Sequence, residues 1–514
     1  MAGLVAAFGS GAMTNSMDDI VENAAAMLII GSNTTEQHPV FGAMIRRAVR
    51  RRGLKLVVAD PRKIDIVDFA TLHIRQKPGT DVALLNGLAH IILEKGWEDK
   101  KFIEERTEGF EEFEAAVEAY TPERVSEITG LPVEQLYEAA EILATNKPMA
   151  VIWAMGITQH IVGVQNVMAC ANLQMLLGNM GVPGGGTNPL RGQNNVQGAC
   201  DMGCLVNVYP GYQRVSDEAA RAKFEAAWGV ELAGHVGLTV TEMISAAGEG
   251  QVKVMYVLGE NPAMSDPDSN HVRQCLEACE FLVLQEIFPS ETAAYADVLL
   301  PGVSFAEKNG SFTNTERRIQ MVHQAIESVG DSRLDWRIIC DLAKHVSEGG
   351  ARVPDWDAPH ARWDYESQAE IMAEIAALTP IYAGVSHERL ERGERLQWPV
   401  RGQDQPGTPI LHVGQFSRGL GKFHALEHVP PAELPDDEYP MLLSTGRVLY
   451  HWHGGEMTRR ARGLMEVYPE SLVEVNPDDA QRIGLDGKKR VRITSRRGQI
   501  VATAQVTDRV PPGL

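Results

Sequence analysis

A strand, a helix and a second strand follow one another in the first sixty residues, and this order constrains the fold more than any other feature. The apolar run Met27–Ile30 ends at Gly31-Ser32-Asn33, the next helix is predicted over residues 39–52, and Leu54–Ala59 is predicted as the second strand. Strands joined through a helix lie parallel, so both end at the same edge of the sheet. The sequence therefore predicts an α/β protein with a ligand crevice at that edge.

A weaker copy of this pattern begins at residue 254. Val254–Leu258 ends at Gly259-Glu260-Asn261, residues 268–279 are predicted to be helical, and Phe281–Leu284 is predicted as the following strand. Both first strands thus end in Gly-x-Asn, where open backbone N–H groups can bind a phosphate or ribose. Because one nucleotide rarely needs two such crevices, the repeat predicts two nucleotides or one bis-nucleotide cofactor.

Asp60 follows the second strand, at the position where an acidic residue accepts hydrogen bonds from ribose hydroxyls or a guanine edge. Its alternative role is to open the turn before Pro61.

The remainder of the chain divides by composition. Residues 81–146 are predicted to be mainly helical, and Ala150–Ala154 is predicted as a further strand. Segments 349–362 and 399–440 are rich in Pro, Gly and charge, which predicts linkers. Residues 441–514 change to short β-rich runs separated by turns, which predict a small β-barrel domain.

The stretch 178–204 is rich in glycine and side-chain amides and contains one cation, Arg191. Such a segment is either a flexible surface loop or a loop wrapped closely around a polar ligand. The amide content favours the second interpretation, and a single guanidinium in that setting can hold a small carboxylate through two parallel hydrogen bonds.

Charge and cysteine content exclude several classes of protein. The formal net charge is −20, and an acidic surface repels phosphate backbones, so nucleic-acid binding is not expected. No apolar run is long enough to span a membrane. Six cysteines are too few for a disulfide scaffold in a chain of 514 residues, and a reducing compartment, the cytoplasm, is expected. The two Cys-x3-Cys pairs lack further ligands nearby, so they predict no metal site.

Three other motifs have structural explanations. The basic run 45–53 lies at a predicted helix C-terminus, where cations complement the helix dipole, and we interpret it as a solvated face. His160 follows a strand and is expected to be a hydrogen-bonded structural histidine. His451 and His453 are spaced like metal ligands, but no thiol lies close to them in the sequence, and metal binding is not expected.

These segments resemble the molybdenum- or tungsten-dependent formate dehydrogenase catalytic (alpha) subunits of the molybdopterin oxidoreductase family. The resemblance covers almost the whole chain and is carried by GSGAMTN at 9–15, GSNTTEQHP at 31–39, VADPRK at 58–63, RTEGFEEF at 106–113, WAMGITQH at 153–160, NPLRGQNNVQGACDMG at 188–203, LGENP at 258–262, GSFTNTERR at 310–318 and HWHGGEMTRR at 451–460.

The resemblance implies two Rossmann-like α/β domains, at residues 1–190 and 191–425, followed at 441–514 by a double-psi-like β-barrel that is expected to be incomplete. It also implies a cofactor made of two pyranopterin guanine dinucleotides (bis-molybdopterin guanine dinucleotide) around one Mo or W atom. That cofactor agrees with the two nucleotide crevices predicted from the repeat. The reaction that it implies is the reversible oxidation of formate to CO2.

Site residues carry over from the resemblance by position. Arg191 matches the arginine that orients formate, and Gly192 and Gln193 follow it in the pterin loop. The matches to one dinucleotide site are Asn33, Glu36, Asp60, Met155 and Gln159. The matches to the other are Gly259, Asn261, Ser265, Gln285 and Asp335. The matches near the pterins in the last domain are Arg447, Val448 and His451.

The chain departs from the family pattern at both ends, which predicts a fragment of a catalytic subunit that is inactive by itself. The family's N-terminal iron–sulfur domain, with its 4Fe-4S cluster, has no counterpart here. The Cys or selenocysteine that ligates the metal is expected a few positions before Met1, with its neighbouring His. Cys170, Cys200 and Cys204 fall at other positions, so no metal ligand is expected within these residues.

The family implies formate and CO2 as substrates and partner subunits that carry iron–sulfur clusters, flavin of the diaphorase type or other electron carriers. The alternatives are a non-catalytic scaffold subunit of a respiratory complex, another molybdopterin oxidoreductase, and a nicotinamide dehydrogenase. A scaffold has no need of Arg191 within an intact NPLRGQNNVQG loop. A nicotinamide enzyme needs G-x-G-x-x-G after its first strand, and Gly31-Ser32-Asn33 does not supply it.

Overall fold

The computed structural model describes residues 1–348, 363–487 and 489–514. The described chain forms two compact units. The first unit comprises Met1–Gly192, Pro409–His453 and Thr458–Leu514. The second unit comprises Gln193–Thr408 and Gly454–Met457. The predicted linker 349–362 lies outside the described residues.

A parallel sheet of five strands forms the centre of the first unit, in the order β3-β2-β1-β4-β5. Its strands are β1 (Ala26–Ile30), β2 (Lys55–Ala59), β3 (Leu72–Ile74), β4 (Met149–Trp153) and β5 (Thr187–Pro189). Every residue of β1 and β4 is buried, as expected of a parallel sheet covered on both faces. The predicted β-α-β unit and the α/β class are confirmed.

The helix between β1 and β2 has the bounds predicted from the sequence, Pro39–Arg52. Pro39 occupies the first turn, where its missing N–H costs nothing, and Gly53 ends the helix with φ 72°. The described helices of the first unit before residue 192 are α1 (Ala2–Phe8), α2 (Met17–Asn23), α3 (Thr34–Gln37), α4 (Pro39–Arg52), α5 (Asp81–Lys95), α6 (Lys100–Arg106), α7 (Phe110–Glu118), α8 (Pro122–Thr129), α9 (Val133–Thr145), α10 (Met155–Thr158) and α11 (Gly163–Leu176).

The linker prediction for 399–440 is wrong in its central part. Phe416 and Phe423 are buried in the core of the first unit, and the Phe416 ring stacks on Phe8 with centroids 5.1 Å apart. The two-residue strand Gly421–Lys422 also pairs in parallel with Thr107–Glu108. The Gly- and Pro-rich segment returns to the core of the first unit, where its few aromatic side chains are buried.

A second parallel sheet forms the repeat predicted in the second unit. Its strands are β6 (Val254–Leu258), β7 (Phe281–Glu286) and β8 (Val298–Pro301), in the order β8-β7-β6. An antiparallel sheet follows, formed by β9 (Gly310–Thr313), β10 (Arg318–Val322) and β11 (Leu396–Gln397). The described helices of this unit are α12 (Val196–Asp201), α13 (Glu218–Trp228), α14 (Val240–Gly248), α15 (Pro262–Ser265), α16 (Ser269–Ala278), α17 (Asp335–Glu348), α18 (Gln368–Leu378) and α19 (His387–Glu391).

The C-terminal part of the first unit is β-rich, as predicted. Strands β12 (Leu472–Val475), β13 (Arg490–Ser495) and β14 (Gly498–Val506) form a mixed sheet in the order β12-β14-β13. Two short helices accompany the sheet, α20 (Arg462–Val467) and α21 (Pro477–Arg482). Among the described residues, no helix combines the length and the apolar character that crossing a bilayer requires.

Candidate cofactor and substrate site

The carboxyl edge of the first sheet is tied together through the backbone of Gly31. Its N–H donates to the carbonyl of Ala59 at 3.2 Å, and its carbonyl accepts from the N–H of Gly156 at 3.0 Å. Gly31 has φ 58°, and a Cβ there would lie 2.7 Å from the carbonyl carbon of Gly156. Only glycine fits, so the ends of β1, β2 and β4 meet in a crevice floored by backbone.

Asn33 presents an unused donor at this edge. Its Oδ1 accepts a hydrogen bond from Thr35 Oγ1 at 3.1 Å, while its Nδ2 is buried with no partner among the described residues. A buried amide without a partner costs about 1–3 kcal/mol, which a ligand oxygen would offset. Glu36 differs, because its carboxylate is 3.4 Å from the Arg509 guanidinium.

Asp60 lies at the end of β2 with a largely buried carboxyl group. Burial raises its pKa to about 6, opposed by a hydrogen bond from the Arg62 N–H, which donates to Oδ1 at 2.9 Å, and by the Arg62 charge. A carboxylate with so raised a pKa gains most from further N–H or O–H donors. A guanine edge or ribose hydroxyls supply such donors.

The two residues predicted at the end of β4 lie in and directly after the short helix α10. Met155 is its first residue and is half-buried, and Gln159 follows its end and is exposed. His160 Nε2 donates to the Gly156 carbonyl at 2.8 Å, which agrees with the structural role expected for it. The turn after β4 is thus rigid, with the Gln159 side chain open to solvent.

Arg191 is half-buried after β5 and is bonded through both its side chain and its backbone. Its Nη2 donates to the Gly11 carbonyl at 3.1 Å, and its own carbonyl accepts from His38 Nε2 at 2.8 Å. A Cβ on Gly192 would lie 2.8 Å from Cε1 of His453, so the next residue must be small. These contacts fix the backbone that presents the guanidinium.

His38 is a further candidate site residue that the motifs did not single out, although it lies within the quoted segment 31–39. Burial lowers the pKa of its imidazole, which keeps the ring neutral near pH 7. With the proton on Nε2, Nδ1 is an acceptor, and it is buried with no hydrogen-bond partner among the described residues. The signal in the sequence was a histidine directly before the helix-starting Pro39, close to the Gly-x-Asn turn.

The predicted residues of the C-terminal part contact one another locally. Arg447 Nη2 is 3.3 Å from Nδ1 of His453, and Val448 pairs with His451 in an antiparallel bridge. Both ring nitrogens of His451 are engaged, one with Thr458 Oγ1 at 3.1 Å and one with the Tyr468 carbonyl at 2.7 Å. Within the described residues, no group of three or more His, Cys, Asp or Glu side chains could hold a metal ion.

The Gly-x-Asn turn of the second unit resembles the first turn in its backbone conformation, but the asparagine side chain has different hydrogen-bond partners. Gly259 has φ 62°, and its N–H donates to the Gln285 carbonyl at 2.9 Å. Asn261 is buried, and its amide is bonded to Thr292 and Glu291 through Oδ1 and Nδ2, at 2.8 Å and 2.7 Å. Ser265 Oγ donates to the Asn261 carbonyl at 3.1 Å.

The other second-unit residues form an internal network. Gln285 is buried, and its Nε2 donates to Asp335 Oδ1 at 2.8 Å, while its Oε1 accepts from Tyr256. Asp335 also forms an ion pair with Lys308, a partner that no sequence signal indicated. Gln193, by contrast, is exposed. The structure therefore groups Gln285 with Asp335 and Asn261 with Ser265, and their roles as ligands of a nucleotide stay predictions.

Comparisons with known proteins identify two matching family models and several relatives. The molybdopterin oxidoreductase family model matches residues 3–345, and the molybdopterin dinucleotide-binding domain model matches residues 441–514. The F420-dependent formate dehydrogenase 1 subunit alpha of Methanococcus maripaludis is 44% identical over 514 residues, which are 100% of this chain and 74% of that protein. Formate dehydrogenase H of Escherichia coli is 39% identical over 519 aligned residues, 100% of this chain and 70% of that protein.

The fold is similar to that of acetylene hydratase from Pelobacter acetylenicus. The match has a TM-score of 0.75 at 19% identity and covers 100% of this chain and 72% of that structure.

Proposed function

The chain belongs to the molybdopterin oxidoreductase family, and we propose that it is the catalytic part of a formate dehydrogenase, which oxidises formate reversibly to CO2, a proton and two electrons. The observation that carries the proposal is the 44% identity to a formate dehydrogenase alpha subunit along all 514 residues. The half-buried Arg191, fixed at its side chain and its backbone, supports a small carboxylate as the substrate.

The residues of the first unit fit a pyranopterin guanine dinucleotide. The buried Nδ2 of Asn33 needs an acceptor, the Asp60 carboxyl favours donors, and the backbone at Gly31 packs directly against that of Gly156. We propose that these groups, with Glu36, Met155 and Gln159, hold one dinucleotide. When bound, the molybdenum or tungsten centre of the cofactor accepts the two electrons of formate.

In the second unit the fit rests on different groups. The amides of Asn261 and Gln285 are bonded within the unit, and Asp335 is paired with Lys308. We propose that these residues hold the backbone around Gly259 in shape for the second dinucleotide. A Cβ on Gly259 would meet nothing within 4 Å, so a ligand can approach its backbone.

Arg191 has the central role in the proposed reaction. Its planar guanidinium binds both formate oxygens, which orients the C–H bond and offsets the carboxylate charge. Gly192 lets the loop pass beneath His453, and Gln193 follows as a polar contact for the pterins. Arg447, Val448 and His451 support the same cofactor from the C-terminal part. The division into domains 1–190, 191–425 and 441–514 stays a prediction from the resemblance, and the compact units differ from it because Pro409–His453 belongs to the first unit.

The proposal extends to partners and location. A 4Fe-4S cluster, as the resemblance implies, would carry the electrons on to iron–sulfur, flavin or other electron-transfer subunits. The relatives named as F420-dependent support a separate electron acceptor for this chain too. The cytoplasm is the proposed compartment, because only six cysteines are present and all are free thiols.

One experiment separates the alternatives. The complete native enzyme is purified anaerobically, because the 514 residues by themselves are expected to be inactive. Its molybdenum, tungsten and guanine nucleotide are quantified, and formate-dependent dye reduction is measured. We expect one metal and two guanines per chain, together with turnover of formate. A protein without metal would indicate a scaffold, and a metal-loaded protein inactive on formate would indicate a different molybdopterin oxidoreductase; either result contradicts the proposal.

A further inference from the structure

Four arginines of α4 line a groove that the proposed reaction does not use. Arg46, Arg47, Arg50 and Arg51, with Ala43 and Phe69, surround a cavity of about 430 Å³; we call it the arginine groove. It lies within the first unit, on the exposed side of the helix that joins β1 to β2.

The helix dipole accounts for only part of this charge. Cations stabilise a helix in its last turn, which here contains Arg50, Arg51 and Arg52. Arg52 also has a structural role, because its Nη2 donates to the Ala24 carbonyl at 3.2 Å. Arg46 and Arg47 precede the last turn, so the helix dipole does not explain them.

No acidic side chain of the described residues forms an ion pair with any of the four groove arginines. Acidic residues are abundant in this chain, since Asp and Glu total 68 against 48 Lys and Arg. Four adjacent cations at one surface repel one another, and no carboxylate of the described residues offsets this repulsion through an ion pair. The local charge is therefore positive, whereas that of the whole molecule is negative. Such a surface favours the binding of a partner molecule that carries carboxylates.

The Phe69 ring holds two of these guanidinium groups in place before any ligand binds. The guanidinium carbons of Arg46 and Arg50 lie 5.7 Å and 4.7 Å from the centre of its ring. Such cation–π contacts limit the rotamers of long side chains, so less entropy is lost when a ligand binds.

We propose that the arginine groove is a docking site for a carboxylate-rich helix of a partner protein. Arg46 and Arg50, like Arg47 and Arg51, are four residues apart on α4, a rise of about 6 Å. Glutamates at i and i+4 on a partner helix have the same spacing, so two columns of carboxylates can face two columns of guanidinium groups. The net charge of −20 opposes the approach of a nucleic acid, whose charge extends far beyond the groove.

The test measures binding of a defined peptide to the native protein by fluorescence anisotropy. The probe is a fluorescein-labelled helical peptide with glutamates at i and i+4, and the same peptide with glutamines is its control. We expect the glutamate peptide to bind, the glutamine peptide to bind at least about tenfold more weakly, and added salt to weaken binding. Equal binding of the two peptides, or binding of neither, overturns the proposal.

Variants locate the binding. Arg46→Gln/Arg50→Gln is expected to lower the affinity of the protein for the glutamate peptide at least about tenfold, because the charge-assisted contacts of both arginines are lost. Arg490→Gln/Arg492→Gln, on the exposed face of β13, removes the same charge elsewhere and should leave affinity unchanged. Circular dichroism confirms folding, and Arg47→Gln/Arg51→Gln replaces the first variant if it unfolds. Equal effects of the groove and control variants, or a DNA duplex that binds the groove more tightly than the peptide, contradict the assignment.

Discussion

At the scale of single residues, Arg191 combines a fixed backbone with a guanidinium suited to a carboxylate. We predict that Arg191→Lys in the complete enzyme retains the cofactor but lowers kcat/KM for formate by about 10- to 100-fold, because a lysine offers a point charge in place of a planar fork. Steady-state kinetics with formate, together with metal and guanine analysis of the same preparation, measure both parts. Arg490→Lys, at an exposed strand position, is the matched control.

A variant with near-normal kcat/KM would contradict the role of Arg191 as a substrate clamp. Loss of the cofactor together with activity would instead show that the side chain holds the fold of the loop, through its bond to Gly11.

The pKa of Asp60 gives a second test at this scale. Burial raises the pKa to about 6 in the free protein, and donors from a guanine bind the ionised form and lower it again. A ligand that prefers the ionised form binds more tightly as pH rises toward the free-protein pKa, by at most about tenfold per pH unit. We therefore predict that affinity for GDP rises from about pH 5 to about pH 6.5 and then levels off. Isothermal titration calorimetry measures it.

Asp60→Asn should remove this pH dependence, while Asp68→Asn, an exposed residue close by in the chain, should leave it intact. GDP affinity that falls with rising pH, or that is unaffected by Asp60→Asn, would exclude Asp60 from the guanine or ribose contact.

At the scale of elements, the loop after Arg191 ends where α12 begins, and Asn195 holds that junction. Asn195 has φ 60°, and its Oδ1 accepts from the Thr313 N–H at 2.9 Å. A Cβ added to Gly198 would collide with this Oδ1. Alanine normally favours a helix over glycine by about 1 kcal/mol, but here it must displace a bonded side chain.

We predict that Gly198→Ala lowers the free energy of unfolding of the second unit by about 1–3 kcal/mol, since the steric cost exceeds the helix gain. Gly463→Ala is the control, because nothing lies within 4 Å of a Cβ at that position in α20, and we expect it to be neutral or slightly stabilising. Chemical denaturation followed by circular dichroism compares them. A Gly198→Ala protein as stable as the control would show that the Asn195 contact is dispensable.

At the scale of the whole molecule, the first unit is completed by residues that return from the far end of the chain. Phe416 is buried against Phe8 and lies beneath the Arg106 guanidinium, 5.0 Å from its ring centre. We predict that Phe416→Ala lowers the free energy of unfolding of the first unit by about 3–5 kcal/mol. Hydrogen exchange of the amides in β1 and β4 under mild denaturant reports on that unit directly.

Phe281→Ala in β7 is the matched control, because this ring is 42% exposed and belongs to the second unit. Its effect on exchange in β1 and β4 should be absent. If Phe416→Ala leaves protection of these strands unchanged, the returning segment is peripheral to the core.

Much of the fold could be predicted from the sequence, because the deciding interactions are local. Pro39 and Gly53 set the ends of α4 through backbone conformations that neighbouring residues do not alter. The strands after Ala26 and Val254 are apolar runs with polar exits, and the Gly-x-Asn turns follow from the need for positive φ at Gly31 and Gly259. The family and the position of Arg191 within its loop were also evident from sequence motifs.

The tertiary structure decided what the side chains at those positions can do. Asn33 and Asn261 occupy equivalent turns, yet Thr292 and Glu291 satisfy the amide of Asn261, and Nδ2 of Asn33 keeps no partner among the described residues. The core role of Phe416 and the lowered pKa of His38 likewise depend on residues distant in the chain. Burial and hydrogen-bond partnership are properties of packed neighbours, and the local pattern of a sequence specifies backbone conformation without specifying which neighbours will pack.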